Sequence, residues 1–147
     1  MSIYADITES LNRAAHEKKQ YARELNAVAT AFALEANRVL GAGNAIEYGA
    51  MMDDGEFEPA TIGPLNETQG AQFVLAVSFR VDSAEEVRHF PVVVQKTKAA
   101  GIQLFVAGRH GHAVDANQPS SFTEPSNDLS AAIWDWVRDV KAESQLV

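Results

Sequence analysis

The first forty residues carry apolar positions at helical spacing. Between Asp6 and Leu40 there is no proline or glycine, and apolar residues recur at steps of three and four, the period of one helix face. These positions are Ile7, Leu11, Ala14, Tyr21, Leu25, Val28, Phe32 and Val39. The pattern predicts one long helix over residues 1–40, capped by Asp6 or Ser2 and ended by Gly41 and Gly43.

This helix is longer than a domain of this size is wide. It would span about 52 Å, whereas a compact chain of 147 residues is about 38 Å across. Up to about Arg23 the helix has a narrow apolar stripe on one side and polar residues on the other. Beyond Arg23, apolar residues surround the helix axis. Ala27, Ala31 and Leu34 lie opposite the stripe, so we predict a homodimer or larger assembly through these residues. The alternative is that other parts of the same chain cover them.

Strand periodicity follows Gly43. The predicted strands cover residues 44–52, 56–62, 71–81, 87–95 and 102–107. Asp53-Asp54-Gly55 between the first two runs predicts a hairpin, and the third run has one wholly apolar face that has to be covered. Pro91 implies an edge position, a bulge or a late start to the pairing. Short links favour antiparallel neighbours, so residues 44–114 are predicted to form an antiparallel sheet.

A loop over residues 115–126 leads into a last helical pattern at 126–143. Ser126 or Asn127 is its predicted cap, and Trp134 falls on the flank of its apolar stripe. That stripe consists of Leu129, Ile133, Trp136, Val137 and Val140. The predicted fold is therefore a single α+β domain over residues 1–147. It comprises a long N-terminal helix, an antiparallel meander of about five strands, and a C-terminal helix packed on the sheet.

Composition and charge exclude several classes of function. The chain has no cysteine, which removes disulfides, thiolate nucleophiles and cysteine-based metal sites. Its formal charge is −8, which gives no general attraction to phosphate backbones or anionic lipid, so we expect no direct nucleic-acid or membrane binding. Residues 41–75 carry six acids and no base, whereas residues 76–114 are net basic. The lack of a signal peptide or a long apolar run predicts a soluble cytoplasmic protein.

The string Gly108-Arg109-His110-Gly111-His112, at the end of a predicted strand, is the main candidate for chemistry. His110 and His112 would project to one face of an extended backbone, where they could hold a metal with Asp115 or His89. The interpretation that we favour is a solvated strand end, with glycines for a tight turn. We therefore predict no metal site and no catalytic residue.

The sequence favours a non-enzymatic binding protein that docks on another protein, as an inhibitor, immunity protein or adaptor. It contains no phosphate-binding loop and no nucleophile elbow, and we predict no cofactor. The candidate partner-binding residues are Asp53, Asp54, Glu56 and Glu58 in the base-free segment, and Trp134 as an aromatic anchor.

Two alternatives stay open. The first is binding of a nucleotide or phosphorylated metabolite, since phosphate needs positive contacts and the segment 80–112 supplies them. Its candidate ligand-binding residues are Arg80, Lys96, Arg109, His110 and His112. The second alternative is a small hydrolase centred on His110 and His112.

Overall fold

The structure is a computed structural model, and it describes residues 2–64, 70–99 and 101–145. Within these ranges the chain forms two α-helices, six strands and one short 3-10 turn. They are α1 (Ile3–Leu40), β1 (Ile46–Met51), β2 (Phe57–Pro59), β3 (Gly70–Val81), β4 (Ala84–Thr97), β5 (Gly101–Val106), β6 (His112–Val114), the 3-10 turn (Pro119–Phe122) and α2 (Thr123–Gln145). The α+β prediction is confirmed.

The strands form one antiparallel sheet in the order β2-β1-β3-β4-β5-β6. β3 to β6 follow one another as the predicted meander, but β1 lies between β2 and β3, so the meander prediction is wrong at that point. β6, which is only three residues long, is not among the predicted strands. The predicted strands 71–81 and 87–95 left five residues, 82–86, for a turn, whereas the turn consists of Asp82 and Ser83 alone. Both have positive φ, 53° and 67°, which is typical of a type I′ hairpin turn, so β4 begins three residues earlier than predicted.

Pro91 lies in β4 where pairing with β5 has not yet begun. The β4–β5 ladder starts at Val92, and the carbonyl of Pro91 accepts a hydrogen bond from Ala107 N at 2.8 Å. In an antiparallel strand the nitrogen and oxygen of one residue point to the same side, so the missing N–H of Pro91 faces the end of β5. Of the three alternatives predicted for Pro91, the structure therefore shows the late start to the pairing.

Both helices pack on one face of the sheet. The largest fully buried side chains are Phe32, Phe73, Phe122, Leu25, Leu75, Leu104, Leu129, Val28, Val92, Val94, Val106 and Pro125. Phe32 of α1 stacks on Phe122 at the entry to α2, with ring centroids 6.0 Å apart. Each such side chain contributes about 1.5–3 kcal/mol when it is fully buried. The core thus fixes the second half of α1 and the first turns of α2.

The two halves of α1 differ in burial. Every side chain from Ser2 to Gln20 is exposed, whereas the buried apolar residues of α1 all lie in its second half: Leu25, Val28, Ala29, Phe32, Ala33 and Ala36. Ser2 Oγ caps the start by accepting a hydrogen bond from Ala5 N, and Gly41 ends the helix with a φ of 64°. With 38 residues the helix is about 57 Å long, and it runs unbroken past the edge of the sheet.

Helix α2 begins at Thr123, three residues before the predicted start. Ser126, predicted as a cap, is fully buried inside the helix, and Pro125 occupies its first turn, where a missing N–H costs nothing. Leu129 is buried but Val140 is exposed, because the later turns of α2 extend away from the core. Among the described residues, neither helix has the apolar stretch needed to span a membrane.

Candidate docking surfaces

The exposed half of α1 carries an apolar stripe in line with the buried stripe of the other half. We call residues 3–21 the rod. The rod stripe consists of Tyr4, Ile7, Leu11, Ala14, Lys18 and Tyr21, whose alternating steps of three and four continue to the buried Leu25, Val28 and Phe32. Tyr4 is 78% exposed and Leu11 is 65% exposed. The face that packs on the sheet at Leu25 therefore continues beyond the sheet, where its side chains up to Lys18 are exposed.

The rod leaves the sheet beside the end of β4. Lys96 Nζ lies 3.1 Å from Glu24 Oε2 and 5.4 Å from the centre of the Tyr21 ring. A cavity of about 460 Å³, which we call the junction cavity, is lined by Ala14, Glu17, Lys18, Gln20, Tyr21, Glu24 and Lys96. Burial, and then the nearby Glu24 carboxylate, raise the pKa of Tyr21.

The residues predicted to form an oligomer interface lie further along α1. Ala27 and Leu34 are exposed, Leu34 by 67%. Ala31 is half-buried and packs against the core of its own chain. Two of the three residues predicted for self-association are therefore exposed, and the third contacts the core of its own chain.

The acidic residues form a hairpin at one edge of the sheet. The predicted Asp53-Asp54-Gly55 turn joins β1 to β2, and Asp54 Oδ1 accepts a hydrogen bond from Glu56 N at 2.9 Å. Asp53, Asp54, Glu56 and Glu58 are all exposed, and no ion pair joins any of them to another described residue. We call these four the acidic hairpin. Glu67, the last acid of the base-free segment, lies outside the described residues.

Trp134 is 60% exposed, on the side of α2 next to the end of α1. It lines a cavity of about 580 Å³, the Trp134 cavity, together with Val39, Leu40, Ala42, Ala45, Ile46, Val77, Ser78, Phe79, Arg80, Asn127, Ser130 and Ile133. Ile46 is the first residue of β1, whereas the acidic hairpin follows Met51, its last. The predicted partner-binding residues thus form two surfaces, at opposite ends of β1.

The Arg109–His112 string lines a third cavity, of about 530 Å³, which we call the histidine cavity. Its lining residues are Phe105, Gly108, Arg109, His110, Gly111, His112 and Asp128. Arg109 Nη2 lies 2.7 Å from Asp135 Oδ2, and His112 Nε2 lies 2.8 Å from Asp128 Oδ2. β6 aligns His112 with Leu104 of β5, on the sheet face that α2 covers. Both basic groups are therefore anchored to α2.

The other predicted ligand-binding residues lie elsewhere. Arg80 lines the Trp134 cavity and Lys96 lines the junction cavity, so the five residues proposed for phosphate do not form one pocket. Their strands are neighbours, but these side chains lie at different ends and faces of the sheet.

The proposed metal ligands are also separated. His89 is aligned with Ala76, and its ring lies 5.4 Å from that of Phe57, on the sheet face opposite to His112. Asp115 Oδ1 accepts a hydrogen bond from Asn117 N within its own loop. Within residues 2–64, 70–99 and 101–145, no group of three or more histidine, aspartate or glutamate side chains could hold a metal ion. The metal interpretation with His89 is therefore wrong.

The acidic partners of Arg109 and His112 were not predicted from the sequence. Asp128 and Asp135 are seven residues apart and hence on one face of α2, which was a usable signal. Nothing in the sequence indicated that this face lies beside β6.

No protein-family model, curated protein or solved structure matches this chain, so its function has to be argued from these surfaces.

Proposed function

We propose that this chain is a non-enzymatic binding protein that docks on another protein and self-associates through α1. The observation that carries the proposal is the rod stripe, which is exposed from Tyr4 to Lys18 although it continues a buried stripe. Apolar surface removed from water contributes about 25 cal/mol per Å². Covering Tyr4, Ile7 and Leu11 therefore stabilises a complex.

The rod also gains order from a partner. A helical segment without tertiary contacts is marginal in water, because most helix stability in proteins comes from packing of an apolar face. Between residues 3 and 20 the rod is exposed on all sides. Its one ion pair with a described residue, Glu9–Arg13 at 3.4 Å, is exposed and contributes little. A second helix on the rod stripe supplies the missing packing.

Self-association is tested by sedimentation equilibrium over a range of concentrations. We expect the native chain to approach twice its mass of 15.9 kDa. The double substitution Ile7→Glu/Leu11→Glu places two carboxylates on the stripe and should return the chain to monomer. Ala5→Glu/Asn12→Glu adds the same charges on the opposite side of the rod and should leave the assembly intact.

Leu34→Glu provides the comparison with the interface predicted from the sequence, since Leu34 lies on the back of α1. If Leu34→Glu alone dissociates the assembly, self-association uses that surface instead. If the native chain stays monomeric at every concentration, the self-association proposal fails.

For the second protein, the acidic hairpin is the surface that we propose. Four exposed carboxylates that form no ion pair with another described residue favour a partner with a basic surface, because complementary charge speeds association and sets orientation. The variant Asp53→Asn/Asp54→Asn/Glu56→Gln/Glu58→Gln removes the charge with little change in size. Its matched control is Asp139→Asn/Glu143→Gln on the exposed end of α2.

The test is capture from native lysate followed by binding measurements with the purified partner. We expect a basic protein that binds the native chain and the control but loses at least tenfold in affinity for the hairpin variant. Trp134→Ala tests the second surface in the same assay. If nothing binds, or binding is unchanged in both the hairpin variant and Trp134→Ala, the docking proposal is wrong.

The histidine cavity supports a second candidate, binding of a phosphorylated small molecule by Arg109, His110 and His112. A ligand that binds only the folded state raises the melting temperature, by an amount worth about 2.7 kcal/mol at a hundred times its Kd. A thermal-shift screen with nucleotides that raises the melting temperature of the native chain, but not of Arg109→Ala, would favour this candidate. A hydrolase centred on His110 and His112 would use the same cavity.

A further inference from the structure

We propose that the second copy lies antiparallel along the rod stripe, so that the acidic half of each rod meets the basic half of the other. The arrangement pairs Tyr4 with Tyr21, Ile7 with Lys18, and Leu11 with Ala14 of the other copy. It rests on the proposed self-association and adds its direction and register.

The position of the sheet favours the antiparallel direction. The rod stripe and the buried stripe share one helix face, so each sheet lies on the contact face from Leu25 onward. In a parallel pair, both sheets would occupy the space between the two helices at the same level. In an antiparallel pair they lie at opposite ends, and the two rods face each other without obstruction.

Charge favours the same direction. Residues 3–12 carry two acids, Asp6 and Glu9, and no base. Residues 13–23 carry four bases and one acid. No ion pair joins Asp6, Lys18 or Lys19 to another described residue, so these charges remain available. Antiparallel rods bring the net-acidic half of one copy alongside the net-basic half of the other, whereas parallel rods would place Lys18 directly against Lys18 in the seam.

The length of the exposed stripe sets the register. From Tyr4 to Lys18 the stripe has 15 residues, about 22 Å, and the proposed pairing uses all of it and ends at the half-buried Tyr21. The Tyr4 side chain of one copy then reaches the junction cavity of the other, beside Tyr21 and Lys96. At the centre, Leu11 packs on the small Ala14, and the Lys18 stem covers Ile7 while its ammonium stays in water.

The absence of cysteine allows a direct test with introduced cysteines. Ile7→Cys and Lys18→Cys chains are treated with a short bismaleimide, separately and as a mixture after subunit exchange. We expect a covalent product of twice 15.9 kDa in the mixture and none from either variant alone. Tyr4→Cys mixed with Tyr21→Cys should behave in the same way with Lys18 intact. Glu9→Cys mixed with His16→Cys, on the outer side of the rods, is the control that should not cross-link.

The outcomes separate this arrangement from the broader proposal. Cross-linking of Ile7→Cys with itself would indicate parallel rods and overturn the arrangement. An assembly that sediments as a dimer but gives no product in either mixture would overturn it too, while self-association would stand. A chain that stays monomeric would overturn both.

Discussion

Gly49 shows how one residue holds the acidic hairpin in place. The Phe57 ring lies across it, so that a Cβ at position 49 would come within 2.5 Å of that ring and 2.3 Å of the Glu58 carbonyl oxygen. Real Cβ atoms do not approach so closely, and one of the contacts is with backbone that cannot simply rotate away. β2 therefore depends on glycine at this position for its pairing with β1.

Gly49→Ala should lower the free energy of unfolding by about 1–3 kcal/mol, the usual cost of overpacking. Urea denaturation measures the change. Gln72→Ala, at an exposed position in β3, is the control and should stay within about 0.5 kcal/mol. Adding Phe57→Ala should recover only part of the loss, because the clash with the Glu58 carbonyl remains. Unchanged stability in Gly49→Ala would contradict the described packing.

Tyr21 gives a pH-dependent prediction. Burial raises its pKa above the ordinary 10.0, so the folded chain keeps the phenol proton at a pH where the unfolded chain has lost it. The corresponding stability is present below pH 10 and is lost as the pH rises through the folded-state pKa. The ultraviolet titration difference between the native chain and Tyr21→Phe should show a phenol ionising above pH 10. Ionisation at or below the ordinary value would contradict this prediction.

At the scale of elements, β3 and β4 form a long two-stranded ribbon. Residues 84–91 of β4 have no partner in β5, so this part depends on β3 and on contacts from α2. Trp136 provides such contacts: its ring lies 5.2 Å from that of Phe79 and 5.0 Å from the Arg88 guanidinium. The ribbon is thereby joined to the helix that carries Trp134.

Trp136→Ala should loosen the ribbon without unfolding the sheet. Removing a large aromatic side chain costs about 3 kcal/mol or more when it is well packed, and here the loss falls on residues 84–90. Hydrogen exchange should become faster for those amides and stay unchanged for residues 92–97, which β5 also pairs. Trp134→Ala, at an exposed position, is the control. Equal exchange of the ribbon in both variants would contradict the role of Trp136.

The sequence predicts those elements whose signals are local. α1 and the Asp53-Asp54-Gly55 hairpin follow from periodicity and turn chemistry, and both are present. β6 was not predicted and the turn at Asp82-Ser83 was predicted three residues too long, because both depend on pairing with a neighbouring strand. The same holds for Asn37, whose side-chain amide donates to Ile46 O at 2.9 Å and whose oxygen accepts from Ile46 N at 3.0 Å.

At the scale of the whole molecule, the candidate surfaces are spread over the fold. The rod extends past one edge of the core, and the acidic hairpin and the Trp134 cavity lie at opposite ends of β1. The sequence indicated a helix too long for its own domain. Where the sheet ends along that helix does not follow from the sequence. The predicted interface therefore consisted of Ala27, Ala31 and Leu34, whereas the surface that we propose is the rod stripe.

Hydrogen exchange at low and high protein concentration tests most directly whether a second copy covers the rod. We expect exchange of the amides of residues 8–21 to slow as concentration rises, because pairing adds packing to a helix segment whose side chains up to Gln20 are otherwise exposed. The amides of residues 28–40, already packed on the sheet, should not change. Exchange of residues 8–21 that is equally fast at every concentration would contradict the account.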